Sequence, residues 1–278
     1  MEWTYLNESF FKKKEVKISP FDRGFLFGDG VYEVIPVYKG KVFLLDDHIS
    51  RLERSLQETG INKPKAWDQV PKIIDELIKK NRLPNQVVYL QISRGNEFYR
   101  SHIPTKTLKS TLFISSSELE VNPYKLHPNK PGLKVKTIED TRGLRCDVKS
   151  VTLLSNIMAL REARSEEKDE VIFHREGNIT EGAASNVFVV INNLVKTPPL
   201  SRKILSGVTR KHVIYLLKSK NISFSEEEIN IKDLFLADEV WMTSSTKEIQ
   251  PVAKVNNKDL KSIPPKDSLW SNVLSSYI

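Results

Sequence analysis

Several short stretches of the chain alternate between hydrophobic and polar residues, and this period of two predicts β-strands. They predict an opening hairpin within residues 1–20 and strands at 31–38, 41–45, 86–94, 110–117, 170–174, 187–191, 238–243 and 248–255. Pro36 cannot donate to a sheet ladder, so an edge or a bulge is expected in the 31–38 strand. Strands are therefore expected in both halves of the chain.

Other stretches repeat hydrophobic residues every three or four positions, which predicts amphipathic helices. One helix would place Ile49, Leu52 and Leu56 on its inner face and be capped by Asp46 or Asp47. A second helix has its apolar face at Val70, Ile73, Ile74, Leu77 and Ile78.

Three further helices are predicted in the second half. One would bury a stripe of Leu153, Ile157 and Leu160, with Leu154 and Met158 beside it. Another begins near residue 208, and a short one packs near residue 270.

Residues 119–133 form the best candidate for an interdomain linker, because they are rich in proline and show little periodicity. We therefore predict an N-terminal α+β domain at 1–118 and a C-terminal α+β domain at 134–278, which includes Lys149. The fold class is α+β with two domains, and a ligand site is expected in the cleft between them.

Composition narrows the choice of function. No hydrophobic run approaches a membrane span and no signal-peptide pattern occurs at the N-terminus, so a cytoplasmic protein without membrane contact is expected. Cys146 is the only cysteine, which excludes an internal disulfide. The net charge is +8, but the basic residues are scattered, so nucleic-acid binding is not predicted. A modest positive field would suit anionic amino acids and keto acids.

Two residues suggest a specific chemistry. Lys149 stands just before a helical pattern, and Glu181 lies in a run of small residues expected to be a loop, where the backbone can approach a flat ligand. Pyridoxal phosphate needs an amine for its aldehyde and an anion for its pyridine nitrogen. Taken alone, each residue is more often a solvated surface residue. A catalytic thiol at Cys146 is disfavoured because no histidine pattern accompanies it, and no metal site is predicted.

Three sequence runs change that balance. DVKSVTLLSN, NITEGAASNVF and ILSGVTR follow one another in this order. Together they resemble the fold-type IV pyridoxal-phosphate enzymes and, within that group, the D-amino-acid aminotransferases. The resemblance extends from about Glu15 to Val255.

This resemblance implies a role for each matching residue. Lys149 would form a Schiff base with the cofactor and then move a proton in catalysis, and Glu181 would partner the pyridine nitrogen. The remaining cofactor-binding residues would be Arg51, Val208, Thr209 and Ser245 at the phosphate and Leu205 against the ring.

The resemblance also implies how a substrate would be held. Tyr32, Arg100 and His102 match the residues that bind the substrate carboxylate in D-amino-acid aminotransferases. Because the family takes the arginine and the histidine from the neighbouring subunit, a homodimer with shared active sites is implied. Pro36, where the nearest relatives carry a charged residue, is a departure that bears on side-chain preference.

The expected function is transamination between D-amino acids, such as D-alanine and D-glutamate, and 2-oxo acids, such as pyruvate and 2-oxoglutarate. The alternatives of the same fold are a branched-chain L-amino-acid aminotransferase and an aminodeoxychorismate lyase. Branched-chain enzymes carry a tyrosine five residues after the lysine, where this chain has Leu154. A catalytically inactive relative or a binding protein is disfavoured, because Lys149, Glu181 and Arg51 are present together.

Overall fold

The computed structural model describes residues 2–105, 108–261 and 264–278. Its internal contacts divide the chain into two compact units. Unit 1 comprises Met1–Glu120 together with Val148–Thr152, and unit 2 comprises Val121–Asp147 together with Leu153–Ile278. The sequence assigns Lys149 to the C-terminal half, whereas its segment here belongs to unit 1.

Unit 1 is an antiparallel sheet covered by helices. Its strands are β1 (Trp3–Leu6), β2 (Ser9–Lys12), β3 (Gly30–Tyr38), β4 (Lys41–Val42), β5 (Gln86–Ser93) and β6 (Thr111–Glu118). Among the described residues they pair in the order β2-β1-β6-β5-β3-β4. Its helices are α1 (Arg23–Phe27), α2 (Leu45–Thr59), a 3₁₀ turn at Trp67–Gln69 and α3 (Val70–Asn81).

The core of unit 1 lies between this sheet and the inner faces of α2 and α3. Leu52 and Leu56 of α2 are buried in it, as the helical period predicts. The predicted apolar face of α3 is also confirmed, because all five of its residues are buried. Alternate residues of β3, including Val31 and Ile35, point into the same core.

The edge or bulge expected at Pro36 is not found: β3 lies between β5 and β4, and its register with β5 is regular through Pro36. The short strand β4 pairs with Val37 and Tyr38, and the Pro36 carbonyl accepts a hydrogen bond from Phe43 N at 2.9 Å. The pairing with β4 ends at Pro36, which has no N–H to donate in return.

Two local predictions for unit 1 are wrong. Neither Asp46 nor Asp47 caps α2, since the cap position is Leu44, in a left-handed conformation with φ 53° and no side-chain hydrogen bond. Both carboxylates lie in the first turn instead, where they favour the helix through its dipole. In addition, α1 occupies a stretch expected to be a loop, and Asp22 caps it by accepting a hydrogen bond from Gly24 N.

Unit 2 contains a long mixed sheet. Its strands are β7 (Leu133–Glu139), β8 (Glu170–Arg175), β9 (Asn178–Gly182), β10 (Asn186–Ile191), β11 (Leu194–Thr197), β12 (Phe224–Glu226), β13 (Glu239–Ser244), β14 (Glu248–Val255) and β15 (Lys258–Asp259). The order among the described residues is β12-β11-β10-β13-β14-β7-β8-β9, with β15 beside β14. Its helices are α4 (Pro123–Leu126), α5 (Leu154–Ser165), α6 (Val208–Ser219) and α7 (Leu269–Leu274), with 3₁₀ turns at Ile231–Phe235 and Pro265–Asp267.

The main core of unit 2 is enclosed by the curl of this sheet. Val135, Ile172, Ile179, Val187 and Val240 come from five different strands and share one buried cluster. The helices α6 and α7 begin close to the predicted positions. The expected α+β architecture is therefore present.

Two predictions for unit 2 are wrong. In the stripe expected to be buried on α5, Ile157 is exposed and Leu153 and Leu160 are only half-buried, and the helix buries Ala159 and Ala163 instead. Glu181 lies in β9 rather than in a loop. No helix within the described ranges is long and apolar enough to cross a membrane.

Candidate active site

Lys149 is held against β3 by its own backbone. Its carbonyl accepts a hydrogen bond from Tyr32 N at 3.0 Å, and its N–H donates to Ser55 Oγ at 3.4 Å. The side chain is half-buried, and Nζ lies 4.2 Å from the centroid of the Tyr32 ring. The structure thus brings together the predicted cofactor lysine and one predicted substrate residue.

Arg51 lies in the same unit and is bound to a carboxylate that the sequence analysis did not identify. Its Nε and Nη2 donate to the two oxygens of Glu33 at 2.7 and 2.8 Å, and His48 Nδ1 lies 2.7 Å from the same carboxylate. Glu33 is fully buried on β3, between the inward-facing Val31 and Ile35. A glutamate at an inward-facing position of an alternating strand is the sequence signal for such a paired, buried charge.

Glu33 and His48 each have one predominant protonation state at neutral pH. Burial by itself would raise the pKa of Glu33, but the Arg51 charge and the hydrogen bonds from Arg51 and His48 outweigh it and lower that pKa to about 2. Burial lowers the pKa of His48, against the opposing effect of Glu33, and the charges of Arg51 and Lys149 lower it further. Glu33 is therefore ionised at neutral pH, and neutral His48 donates its Nδ1–H to it.

Arg100 and His102 lie on an irregular segment, residues 96–105, between β5 and β6. Both side chains are exposed, and both approach Phe27 of α1. The Arg100 guanidinium carbon is 5.0 Å from the Phe27 ring centroid, and the His102 ring is 5.6 Å from it. The structure therefore places these two predicted substrate residues side by side.

In unit 2, Glu181 is buried and holds three donors. Its Oε1 accepts from Arg142 Nη1 at 2.9 Å, and its Oε2 accepts from Leu205 N at 2.9 Å and from Asn186 Nδ2 at 3.5 Å. Burial raises the pKa of Glu181, while Arg142 and the Leu205 N–H act in the opposite direction. A cation close to this carboxylate would hold it in the ionised form.

Arg142 is itself fixed by a second carboxylate. Its Nε and Nη2 donate to the two oxygens of Asp140 at 2.9 and 3.0 Å, and Arg175 Nε donates to Asp140 at 3.1 Å. Its guanidinium carbon also lies 4.4 Å from the Phe173 ring centroid. No sequence pattern distinguishes Asp140 and Arg142, because two charged residues after a strand look like an ordinary polar turn. Their contacts orient the donor to Glu181.

The N-terminus of α6 adjoins Glu181 through Asn186. Asn186 Nδ2 donates to Leu205 O at 3.0 Å, and a Cβ added at Gly207 would meet Asn186 Oδ1 at 1.9 Å. Only glycine fits there, at the cap position of α6, and no described side chain caps the helix. Unit 2 thus brings Glu181, Leu205, Val208 and Thr209 into one neighbourhood.

Thr209 and Ser245 complete the predicted set in unit 2. Thr209 is buried, and its Oγ1 accepts a hydrogen bond from Tyr277 Oη at 3.3 Å. Ser245 follows β13, two residues after Thr243, which pairs with Asn186. The turn carrying Ser245 therefore starts from a strand position next to the Glu181 neighbourhood.

The small residues after Glu181 have a packing explanation in this structure. A Cβ added at Gly182 would meet Ser185 Oγ at 2.2 Å and Met242 Cε at 2.6 Å. Gly182 is thus required by its own neighbours, so the expectation that these small residues leave the backbone free for a flat ligand does not hold at Gly182.

Cys146 does not have the surroundings of a nucleophile. Burial raises the pKa of its thiol, with Arg142 acting against that effect, and Sγ donates to Gly143 O at 3.3 Å. Within the described residues there is also no cluster of three or more side chains suited to a metal ion.

Comparison with known proteins identifies the family. The family model for amino-transferase class IV matches residues 30–255. The D-alanine aminotransferase of Staphylococcus haemolyticus is 34% identical over 260 residues, which cover 94% of this chain and 91% of the relative. The chain belongs to the class IV aminotransferases.

Solved structures share the fold of this class IV aminotransferase. The branched-chain aminotransferase of Thermoproteus uzoniensis, with norvaline, superposes with a TM-score of 0.87 at 24% identity, covering 99% of this chain and 93% of that chain. A hypothetical aminotransferase of Mycobacterium tuberculosis in its PLP-bound form gives a TM-score of 0.83 at 20% identity, covering 99% and 98%. At these identities the likeness establishes the fold, and substrate choice depends on the residues of the site.

Proposed function

We propose that this class IV aminotransferase uses pyridoxal phosphate to transfer the amino group between D-amino acids and 2-oxo acids. The observation that carries the proposal is the placement of Lys149, whose Nζ lies 4.2 Å from the Tyr32 ring centroid. The backbone of Lys149 is fixed by a hydrogen bond to Tyr32. The chain is also 34% identical to a D-alanine aminotransferase. A positioned amine next to an aromatic substrate residue suits both cofactor attachment and proton transfer.

The residues fit the phosphate of this cofactor. The α6 N-terminus, at Gly207, has no side-chain cap among the described residues, so the N–H groups of its first turn suit an anion. Thr209 would add a hydroxyl, Ser245 a second, and Val208 a backbone N–H. Arg51 would supply charge, and its fork is oriented by Glu33.

The residues also fit the ring. Pyridoxal phosphate supplies an aldehyde and an electron-withdrawing pyridinium ring. Glu181 would accept a hydrogen bond from the ring nitrogen, and its buried carboxylate would favour the protonated nitrogen. Arg142 and the Leu205 N–H hold that carboxylate in one orientation. Leu205 would pack against the ring.

Lys149 would have two tasks. Its amine would bind the cofactor aldehyde, and its Nζ would move a proton from the substrate Cα during the reaction. Because the backbone of Lys149 is fixed to Tyr32 and Ser55, Nζ acts from one side only. The Cα–H bond of a reactive substrate must therefore point towards Lys149.

Handedness would then depend on where the carboxylate binds. We assign Arg100, His102 and the Tyr32 hydroxyl to the substrate carboxylate, through charge-assisted hydrogen bonds. A substrate of the opposite hand would place its side chain there and leave Arg100 and His102 without a carboxylate partner, so the charge-assisted hydrogen bonds would be lost. Leu154, in place of the tyrosine of branched-chain enzymes, favours the same choice.

The loop that carries Arg100 also supports a homodimer. Phe98 is 93% exposed and Ile103 is 82% exposed, and Tyr99 beside them is exposed as well. Large apolar side chains clustered on an exposed loop are typical of a protein interface. We propose that this loop contacts a second copy of the chain, so that Arg100 and His102 serve the partner's site.

Steady-state kinetics with the D and L forms of alanine, glutamate and leucine, using pyruvate or 2-oxoglutarate as acceptor, test the proposed function. We expect kcat/KM to be highest for D-alanine or D-glutamate. Faster turnover of L-leucine than of any D-amino acid would contradict the proposal and favour the branched-chain alternative. Absence of transamination with all six donors would contradict both the proposed function and the branched-chain alternative.

A further inference from the structure

A buried arginine of unit 1 holds the backbone of the loop that carries Arg100 and His102. Arg23 is only 3% exposed, and its guanidinium donates to two successive backbone carbonyls of that loop. Nη1 donates to Ser101 O at 2.6 Å, and Nη2 donates to His102 O at 3.0 Å. These carbonyls lie immediately next to the two proposed carboxylate-binding side chains.

The same guanidinium is anchored by two carboxylates. Nη1 also donates to Glu97 at 2.7 Å, and Nε donates to Asp29 at 2.9 Å. The second oxygen of Glu97 accepts from Thr105 N at 3.0 Å. Glu97 therefore ties the first part of the 96–105 loop to its last described residue, and Arg23 ties both to α1.

The ring of Phe27, one turn along α1, continues this arrangement. The Arg23 guanidinium carbon lies 4.7 Å from the Phe27 centroid, and Arg100 and His102 approach the same ring. Arg100 and His102, which lie outside regular secondary structure, thus both contact the short helix α1. The first part of the loop is also held by a hydrogen bond from Glu97 N to Phe21 O at 3.2 Å and by a bridge between Asn96 and Asp22. Residues 101 and 102 lie beyond these contacts, where Arg23 holds the backbone.

We infer that Arg23 is a positioning residue for the substrate carboxylate: it fixes the backbone of residues 101 and 102 and thereby the direction of the Arg100 and His102 side chains. This inference rests on the proposed function, because it takes Arg100 and His102 to bind the carboxylate. Arg23 itself is buried and acts through the loop. A lysine could not replace it, since one ammonium cannot reach two carboxylates and two carbonyls in a planar fork.

Arg94 provides a matched control. It binds the same carboxylate as Arg23, with Nε and Nη2 at 2.7 and 3.0 Å from the oxygens of Asp29. Its remaining contacts are to the carbonyls of Thr59 and Gly60, outside the 96–105 loop. Arg94→Lys therefore removes an arginine fork from the same cluster without releasing the loop.

The experiment compares wild type, Arg23→Lys, Glu97→Gln and Arg94→Lys as cofactor-loaded enzymes. For Arg23→Lys we expect the KM for D-alanine to rise by at least about tenfold while kcat stays within about threefold, because a carboxylate contact is present in both ground and transition states. Glu97→Gln should shift KM in the same direction by less, and Arg94→Lys should leave KM unchanged. If Arg23→Lys does not fold, Glu97→Gln decides the test.

Hydrogen exchange supplies a readout that is independent of activity. In Arg23→Lys, the amides of Glu97 and Thr105 should exchange at least about tenfold faster than in wild type and in Arg94→Lys. Unchanged exchange, or faster exchange with unchanged KM, would overturn the inference. A wild-type enzyme without D-amino-acid turnover would contradict the proposed function instead, and the exchange rates would still decide whether Arg23 holds the loop.

Discussion

Arg51 and Glu33 form a two-point contact, in which Nε and Nη2 of the guanidinium each donate to a different oxygen of the carboxylate, at 2.7 and 2.8 Å. Glu33 is fully buried, and His48 adds a third hydrogen bond to it. The contact fixes the plane of the guanidinium. Arg51 thus owes its direction to a residue on β3, one position beyond Tyr32.

This geometry predicts the effect of Arg51→Lys on cofactor binding. A lysine keeps the charge but offers a single ammonium, which would have to serve Glu33 and the cofactor phosphate at once. We expect the Kd for pyridoxal phosphate to rise by about tenfold or more, which corresponds to the loss of one charged hydrogen bond. The increase should be smaller at high salt, because screening weakens the wild-type contact as well.

Arg54→Lys is the control, because Arg54 lies three residues away on α2 and is exposed. Both variants would be measured by titrating the apoenzyme with cofactor and following the visible absorption. Equal affinity in the two variants would show that Arg51 plays no part in holding the phosphate.

The pKa of Glu33 predicts how stability depends on pH. Its folded value of about 2 lies below the ordinary value of 4.5, so ionised Glu33 stabilises the folded state at pH values above 4.5. This contribution, about 3 kcal/mol for a lowering of that size, is lost as the pH falls from 4.5 towards 2. The difference in unfolding free energy between wild type and Glu33→Gln should therefore be constant above about pH 5.5 and shrink below 4.5.

Urea unfolding of both proteins at a series of pH values would measure this difference. A difference that stays constant down to pH 3 would show that Glu33 has an ordinary pKa in the folded protein.

Glu181→Gln should impair chemistry more than cofactor binding. Glutamine keeps an acceptor for the Leu205 N–H, and Arg142 keeps its two contacts with Asp140, so the fold should tolerate the change. The lost charge would no longer hold the ring nitrogen protonated. We expect kcat to fall by about a hundredfold or more while cofactor is retained, since electrostatic preorganisation of this kind contributes a few kcal/mol.

Glu170→Gln is a matched control on the neighbouring strand β8. Glu170 is equally buried, and its carboxylate accepts hydrogen bonds from the backbone N–H groups of Val171 and Ala183. The turnover of the Glu170→Gln enzyme should stay within about threefold of wild type. Similar losses in both variants would mean that any buried carboxylate of this sheet matters only for folding.

The contact between Tyr277 and Thr209 predicts a smaller effect. The Tyr277 hydroxyl donates to Thr209 Oγ1 at 3.3 Å, which would direct the Thr209 proton to the proposed phosphate. Tyr277→Phe should weaken cofactor binding by about three- to tenfold, the loss of one neutral hydrogen bond. Tyr124→Phe removes an equally buried hydroxyl of unit 2, bonded to Pro131 O, and should not change the Kd. Equal Kd values for both variants would show that Tyr277 plays no part in binding the phosphate.

The sequence predicts secondary structure best where the hydrophobic residues follow one regular spacing. The inner face of α3 and the start of α6 follow from hydrophobic spacing, and the α+β class follows from the mixture of periods. On α5 the same reasoning fails, because Leu154, Ile157 and Met158 are exposed while two small alanines are buried. Spacing shows that a face is apolar, but it does not show what covers that face.

The candidate site divides in the same way. Lys149 and Glu181 stand in sequence runs that resemble a known family, so both could be identified as candidate site residues from the sequence. The residues that orient the site, such as Glu33 for Arg51 and Arg142 for Glu181, lie 18 and 39 residues away in the chain, and no local pattern connects them. Arg23 is the extreme case, since its partner Glu97 is 74 residues away. Buried ion pairs between distant segments are set by the tertiary fold.

The last prediction concerns the proposed sharing of active sites between two copies of the chain. If Arg100 serves the partner's site, a mixed dimer of Lys149→Ala and Arg100→Ala chains contains one site with an intact lysine from one chain and an intact arginine from the other. Each variant alone should be nearly inactive, and the mixture should recover up to about a quarter of wild-type activity, because half the dimers are mixed and each has one sound site. Subunit exchange would be followed separately with differently tagged chains. The mixture of Lys149→Ala with Glu181→Ala chains is the control. If both residues act in one chain's own site, each site of this mixed dimer lacks one of them, so no activity should be recovered. Failure of the Lys149→Ala and Arg100→Ala mixture to recover activity, despite demonstrated subunit exchange, would place Arg100 in its own subunit's site and remove the shared-site proposal.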